Sequence, residues 1–259
     1  MHVQRWGLPQ AIVSCHSSRI HWPDTHSGYQ RRVREPVSRS KSGVQGKIAD
    51  LFHGRSRHAE SRNEFNGFRI LLATGRADAW QEQPFRLEYH YAGAKHCYTP
   101  DILVTWGTYQ EVVEIKEDAE LDSPQAQRQF GLLRELLAEH SFHFRVWQRS
   151  EICAEPRLTN AGLLLRYRCV AVTPTEREKI RRAFSYSSAL PLRMFVDTEG
   201  IAVQGVLRMV LDGSLHVNLW EPLTLDSTIS CEPVGAQVWP TPPSDALLSA
   251  RRSDVAMRV

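Results

Sequence analysis

Three charged side chains interrupt the stretch "YTPDILVTWGTYQEVVEIK", residues 98–116. Asp101 follows Pro100, Glu114 comes thirteen residues later, and Lys116 lies two beyond it. The surrounding residues are apolar or β-branched and read as two neighbouring strands joined by a short turn at Gly107. Side chains alternate along a strand, so Glu114 and Lys116 share one face while Val113 and Ile115 share the other. Charges on an interior strand are costly without partners. Two converging carboxylates repel, and a divalent cation relieves the repulsion; hard oxygen ligands suit magnesium, with manganese as the substitute ion. Asp101, Glu114 and the backbone carbonyl of Ile115 would hold the ion. Such an ion polarises a phosphoryl oxygen and lowers the pKa of a bound water. Lys116 would orient that water or stabilise the pentacovalent phosphate. On this reading the pattern is a phosphodiester-hydrolysis site. The bland alternative is that Pro-Asp starts a turn and Glu-x-Lys lies on a solvated edge strand.

The elements that must position these residues follow from periodicity. "SRHAESRNEFNGFRILLAT", from about residue 56 to Thr74, reads as a helix with Phe68, Leu71 and Leu72 on one face and a stop at Gly75. Glu64 falls on that buried stripe, an odd place for a carboxylate without a task, and is the candidate third ligand, with Glu60 as the fallback. The bland reading pairs Glu64 with Arg62 or Arg69. "FRLEYHYAG" alternates and turns at Ala92-Gly93. "SPQAQRQFGLLRELLAEH" is the clearest helix, capped by Ser123, with Pro124 in its first turn and Phe130, Leu133 and Leu137 along one side. "FHFRVWQ" is a further strand. The order is helix, three strands, helix, strand.

Residues 1–50 form a basic, irregular arm: Arg31, Arg32, Arg34, Arg39, Lys41 and Lys47 stand against the acid Glu35 between Gln30 and Lys47. The arm is either a solvated tail or a nucleic-acid contact. Residues 51–150 are the candidate catalytic domain. Residues 151–232 contain a helix opened by Thr173, a second helix over 200–211, and an alternating ribbon over 214–230 with Glu221-Pro222 at its bend. Helices followed by a two-stranded ribbon predict a winged-helix-like module. Residues 233–259 read as a tail.

Composition excludes other classes. The chain has 259 residues and a net charge of +3, so it is not a polycation, and no run of about 18 apolar residues marks a membrane span. The 5 cysteines contain no CxxC pair, which argues for reduced thiols in a cytoplasmic protein. The 11 histidines supply no second pair to match His140 and His143, so a histidine metal site is not expected.

The segments "SRNEF", "WQEQPFRLEY", "YTPDILV" and "VVEIK", in this order, resemble the TnsA family, the endonuclease subunit of heteromeric (Tn-seven-like) transposases. The resemblance covers roughly residues 47–148. It implies an α/β, restriction-endonuclease-like fold of the PD-(D/E)xK type. It also implies magnesium-dependent cutting of the 5′ strand at each transposon end. Implied partners are double-stranded DNA, a DDE-type recombinase that handles the 3′ strand, and an AAA+ ATPase regulator. Carried over residue by residue, the family's helix Glu falls on Glu64, its Asp on Asp101, its third metal position on Glu114, where some members have Gln, and its Lys on Lys116. Gln83 of "EQPF" is a shared feature that would orient ligands or DNA, or else cap a turn. With this resemblance, Arg31, Arg32, Arg34 and Arg39 in the arm and Lys179, Arg181 and Arg182, with Arg177, in "REKIRRAF" become candidate phosphate contacts, and nucleoid association during transposition is expected of a bacterial protein. A stand-alone restriction or repair nuclease, and a catalytically silent winged-helix adaptor, remain open as alternatives.

Overall fold

The computed structural model describes residues 18–23, 25–26, 29–30, 46–51, 54–74, 77–196 and 198–233. The arm residues Arg31, Arg32, Arg34 and Arg39, the helix stop at Gly75 and the tail beyond Pro233 lie outside them. In chain order the elements begin with the short strands β1 (Arg19–His21), β2 (Thr25–His26) and β3 (Tyr29–Gln30), then the hairpin β4 (Gly46–Asp50) and β5 (Arg55–Ala59). Helix α1 (Arg62–Thr74) follows, then β6 (Ala79–Glu82), β7 (Arg86–Tyr91), β8 (Ala94–Tyr98), β9 (Ile102–Trp106) and β10 (Tyr109–Lys116). Next come α2 (Asp118–Leu121), α3 (Pro124–Glu139), β11 (His143–Gln148), α4 (Arg149–Ile152) and α5 (Arg157–Leu164). The C-terminal part holds α6 (Pro174–Ala183), β12 (Ala189–Pro191), α7 (Val203–Leu211), β13 (His216–Val217) and β14 (Thr228–Ser230).

The central sheet has the order β11-β10-β9-β6, with β10 and β11 parallel and the other pairs antiparallel. Alternation divides its side chains between two cores. Ile102, Val104, Trp106, Val113, Ile115 and Trp147 belong to one buried cluster, while Leu103 and Val112 belong to the other. The first cluster is covered by α1 and runs on through α5 and α7 to Ile229, so the catalytic candidate segment and the C-terminal segment share one core. The second is covered by α3 and by a second sheet of order β1-β7-β8. Gly67 brings α1 close to the central sheet: a Cβ there would meet Trp147 at 2.9 Å and Ile115 at 3.3 Å. Ser123 accepts from the Ala126 N–H and caps α3, as its sequence predicts.

Three expectations change. The helix expected from about residue 56 begins at Arg62, and residues 55–59 form a strand instead. Its inward residues are Arg57 and Ala59, so the alternation is real but carried by a charged side chain. The run read as one strand over 97–106 is split between β8 and β9 by Thr99-Pro100-Asp101, and β6 is a strand of its own. In the C-terminal segment the ribbon reduces to the pairs His216↔Ser230 and Val217↔Ile229, and β12 adds a third strand in the order β12-β14-β13.

Arg57 anchors the β4–β5 hairpin to the edge of the central sheet. Its guanidinium, 1% exposed, donates to Asp50 Oδ2 at 2.6 and 2.8 Å, to the Trp80 carbonyl at 2.7 Å and to Glu82 Oε2 at 3.0 Å. It also lies 3.9 Å above the Trp80 ring. Removing one member of such a network leaves buried charges without their counterpart. Arg57→Met should therefore destabilise the protein by about 3–5 kcal/mol, measured by denaturant unfolding of the full chain.

Candidate active site

The candidate site lies where a long antiparallel hairpin bends from one sheet into the other. Strands β6 and β9 pair in the central sheet, and their continuations β7 and β8 pair in the second sheet. Both crossings contain a proline, Pro84 on one strand and Pro100 on the other, which removes an N–H from each ladder at the bend. Glu82 pairs with Ile102 and Leu87 with Tyr98, so four residues on the first strand, 83–86, face three on the second, 99–101. The extra residue makes the crossing bulge-like, a device that re-aims side chains. Gln83 absorbs the distortion with φ of 44°, and its N–H donates to the Asp101 carbonyl at 2.9 Å. Gln83 is buried, and its Oε1 has no hydrogen-bond partner among the described residues.

Asp101 thus sits on the bend, held by its main chain to β6's continuation and by its side chain to β10. Its Oδ2 accepts from the Ile115 N–H at 2.7 Å. The pairing of β9 with β10 ends at Ile102↔Val113, so the carboxylate takes the place that another strand residue would fill. The N–H and C=O of one strand residue face the same edge, so the Ile115 carbonyl also faces the Asp101 side. Glu114, buried, accepts from the Tyr98 hydroxyl at 2.8 Å through Oε2 and pairs with Lys116 Nζ at 3.0 Å through Oε1. Lys116 also reaches Glu120 Oε2 at 4.0 Å. Glu64 occupies the first turn of α1: its N–H donates to Ser61 Oγ at 3.1 Å, and its Oε2 accepts from the Glu60 N–H at 2.9 Å. Its carboxylate takes a capping role, and its charge still reaches Asp101.

The electrostatics are those of crowded acids. Burial pushes the Asp101 carboxyl well above its ordinary value, and the Glu114 charge adds to this; the Ile115 N–H opposes it, Glu64 raises it further, and Lys116 lowers it. Burial and then the Glu114 and Asp101 charges also push the Tyr98 hydroxyl well above the usual range, so it remains a donor. Burial alone would lower the Lys116 ammonium, but the Glu114 charge and hydrogen bond, with Asp101 and Glu120, outweigh it and raise the group. Lys116 is therefore a lasting positive charge, not a base at neutral pH.

The donor set fits a hard divalent cation in its chemistry: two carboxylates whose repulsion is already expressed in Asp101, and a backbone carbonyl on the same edge. Among the described residues, no three Asp, Glu, His or Cys side chains converge closely enough to form an ion cage by themselves. Magnesium is held by one or two carboxylates with waters and substrate phosphate completing the shell, so an open site of this kind suits it. His140 and His143 are engaged elsewhere: His140 lies 3.0 Å from Ser18 Oγ, and His143 stacks on Tyr109 at 4.2 Å.

The structure thus gathers Asp101, Glu114, Ile115 and Lys116 at one point, with Glu64 and Gln83 at its margin. Lys179, Arg181 and Arg182 lie apart on α6, where Glu178 accepts from both arginines and is held down to about 2 by those hydrogen bonds. Lys179 donates to the Glu199 carbonyl at 3.2 Å. Tyr98 is the site residue that sequence reading missed. Its spacing of three from Asp101 would put the two on opposite faces of a continuous strand, and the bend at 99–101 is what brings them to one site.

A raised acid in the folded state contributes stability below its unfolded pKa, and that contribution is lost as pH rises through the folded value. Asp101→Asn stays neutral and keeps an oxygen for the Ile115 N–H. Without divalent ions it should melt above the wild type at neutral pH, by roughly 2–4 °C per kcal/mol gained, and the difference should disappear as pH falls below 3.8. Melting curves of both proteins across this range test the sign.

Among the described residues, no helix is long and apolar enough to cross a membrane. No curated protein matches the chain. Residues 76–148 match a family model described as TnsA-like endonuclease N terminal, a span that holds Asp101, Glu114 and Lys116 and supports a TnsA-family relationship for this part of the chain.

Proposed function

We propose that this chain is a metal-dependent DNA endonuclease that hydrolyses the 5′ strand at transposon ends, within a complex that includes a DDE-type recombinase and an AAA+ ATPase regulator. The observation that carries the reading is the convergence of Asp101, Glu114 and Lys116 at the hairpin bend, inside the segment that matches the TnsA-like model. When bound, magnesium, or manganese in its place, would polarise the phosphoryl oxygen and acidify a coordinated water. Asp101, Glu114 and the Ile115 carbonyl would hold it, with Glu64 as an outer member.

The chain's own residues divide the remaining work. Lys116, kept protonated by Glu114, places a fixed positive charge beside the reacting phosphate. The Tyr98 hydroxyl fixes the orientation of the Glu114 carboxylate from behind. The Ile115 N–H holds one oxygen of Asp101, so the other is presented to the ion. Duplex DNA would be retained by sequence-independent phosphate contacts from Arg31, Arg32, Arg34 and Arg39, and from Lys179, Arg181 and Arg182; the exposed pairs of the two α6 arginines with Glu178 are weak enough to exchange for phosphate. The C-terminal segment, read as winged-helix-like, would dock DNA or the ATPase.

The decisive experiment uses labelled transposon-end DNA with the recombinase and ATPase present. Wild type should cut the 5′ strand only with magnesium or manganese. Asp101→Ala and Lys116→Ala should each lose at least about 10²-fold of that cut while keeping their fold and leaving the 3′ cut in place. Identical cuts from wild type and Asp101→Ala would end the nuclease reading and leave an assembly adaptor. In the same assay Tyr98→Phe should lower the rate without abolishing it, because Glu114 keeps its pair with Lys116.

A further inference from the structure

The face of the β7–β8 hairpin that carries Leu87 and Tyr98 continues outward through the pair Tyr89↔His96 to Tyr91. Nearer the site this face is buried against Phe130 and Leu133 of α3. Further out the first two turns of α3 stand away from it, and a pocket of about 290 Å³ opens between them. Its sheet side is aromatic: Tyr89 and His96 stack at 5.4 Å and 19°, and Tyr91 meets His96 edge-on at 6.3 Å. Its helix side carries the apolar Leu132 and three polar side chains at helical spacing, Gln125, Arg128 and Gln129. None of these three side chains has an ion pair or hydrogen bond to another described residue. The pair Tyr89↔His96 is the next same-face pair outward from Leu87↔Tyr98, and Tyr98 donates to Glu114, so one buried layer separates the pocket from the carboxylate cluster.

The two walls ask for one kind of ligand. Stacked rings accept a flat π-face. Carboxamides donate to and accept from the edge of a heterocycle. A guanidinium with no internal partner pairs with phosphate. An acidic peptide would leave the rings unused, and an apolar one would bury Arg128 without a counter-charge. We propose that this pocket receives one unpaired nucleobase of the DNA beside the cleavage point, stacked against the Tyr89–His96 pair, with Arg128 on its phosphate. The proposal rests on the nuclease reading above and gives that site a preference for frayed or overhanging strands, where unpairing costs least.

The full chain is titrated, by anisotropy, into two DNA duplexes that differ only in a short single-stranded overhang carrying 2-aminopurine, whose emission reports stacking. Wild type should bind the overhang duplex roughly tenfold more tightly than the blunt one, with a change in 2-aminopurine emission. The double variant H96A/R128A should lose both effects while binding the blunt duplex as before and melting at the wild-type temperature. His96→Phe should keep the emission change, since it keeps the ring. If H96A/R128A retains the preference, the pocket is not the base site, and the metal-dependent cut described above still stands or falls by itself. If a free mononucleotide abolishes the emission change in wild type while the overhang confers no gain in affinity, the pocket belongs to a free nucleotide and the proposal is overturned. If wild type neither binds nor cuts DNA in the assembled reaction, the nuclease reading has failed and takes the pocket with it.

Discussion

The hydrogen bond from the Ile115 N–H to Asp101 Oδ2, at 2.7 Å, joins the bent hairpin to the strand that carries Glu114 and Lys116. A strand edge left open by a departing neighbour has an N–H to satisfy. Here a carboxylate supplies the acceptor, so closing the sheet and placing the acid are one event. The prolines at 84 and 100 and the extra residue in 83–86 make the neighbour depart at this point. Without that bend, Asp101 would continue the ladder as an ordinary strand residue and face along the sheet instead of across to β10.

Two groups of acids flank the same strand, and they differ in how their charge is met. Asp50 and Glu82 converge on Arg57, which is wholly enclosed and donates to both. That network is satisfied and serves to lock a hairpin to a sheet edge. At the bend, Lys116 meets Glu114 directly, but Asp101 has only an N–H and a more distant ammonium against the combined field of Glu114 and Glu64. The imbalance is local, since polar partners are plentiful a few residues away. Perturbed acids of this sort gather at functional sites because the missing counter-charge is supplied by something that binds.

Much of this was legible in the sequence. Period-two alternation placed Glu114 and Lys116 on one face and Val113 and Ile115 on the other, and the two buried clusters divide along that line. The cap and apolar stripe of α3 fixed its start and its inner face. What was not legible depends on partners distant in sequence. Strand β5 carries its inward face on Arg57, and a buried arginine looks polar until Asp50 and Glu82 are beside it. The division of 97–106 into two strands depends on a bend shared with 82–86, which no local window contains. Helix α5 packs on α1, so its apolar residues are explained by a surface that lies about ninety residues earlier in the chain. Glu64 was read as a ligand on the buried stripe, and the hydrogen bond its carboxylate accepts from the Glu60 N–H shows how a helix start can use the same side chain.

The mismatch of four residues against three at the bend also governs which changes of chain length the protein can accept. Deleting one residue from 83–86 would bring both halves of the hairpin into a single register and turn one half by a full side-chain face. Either Leu103 and the residues of its cluster would trade places with Ile102 and Val104, or Tyr98 would leave Glu114. The hairpin tip at Ala92-Gly93, exposed and already in left-handed conformations, imposes no such parity. Length variation among related chains should therefore accumulate at the tip and be absent from the bend, and a gap placed in 83–86 when such chains are aligned would mark a displaced alignment or a protein with a different site.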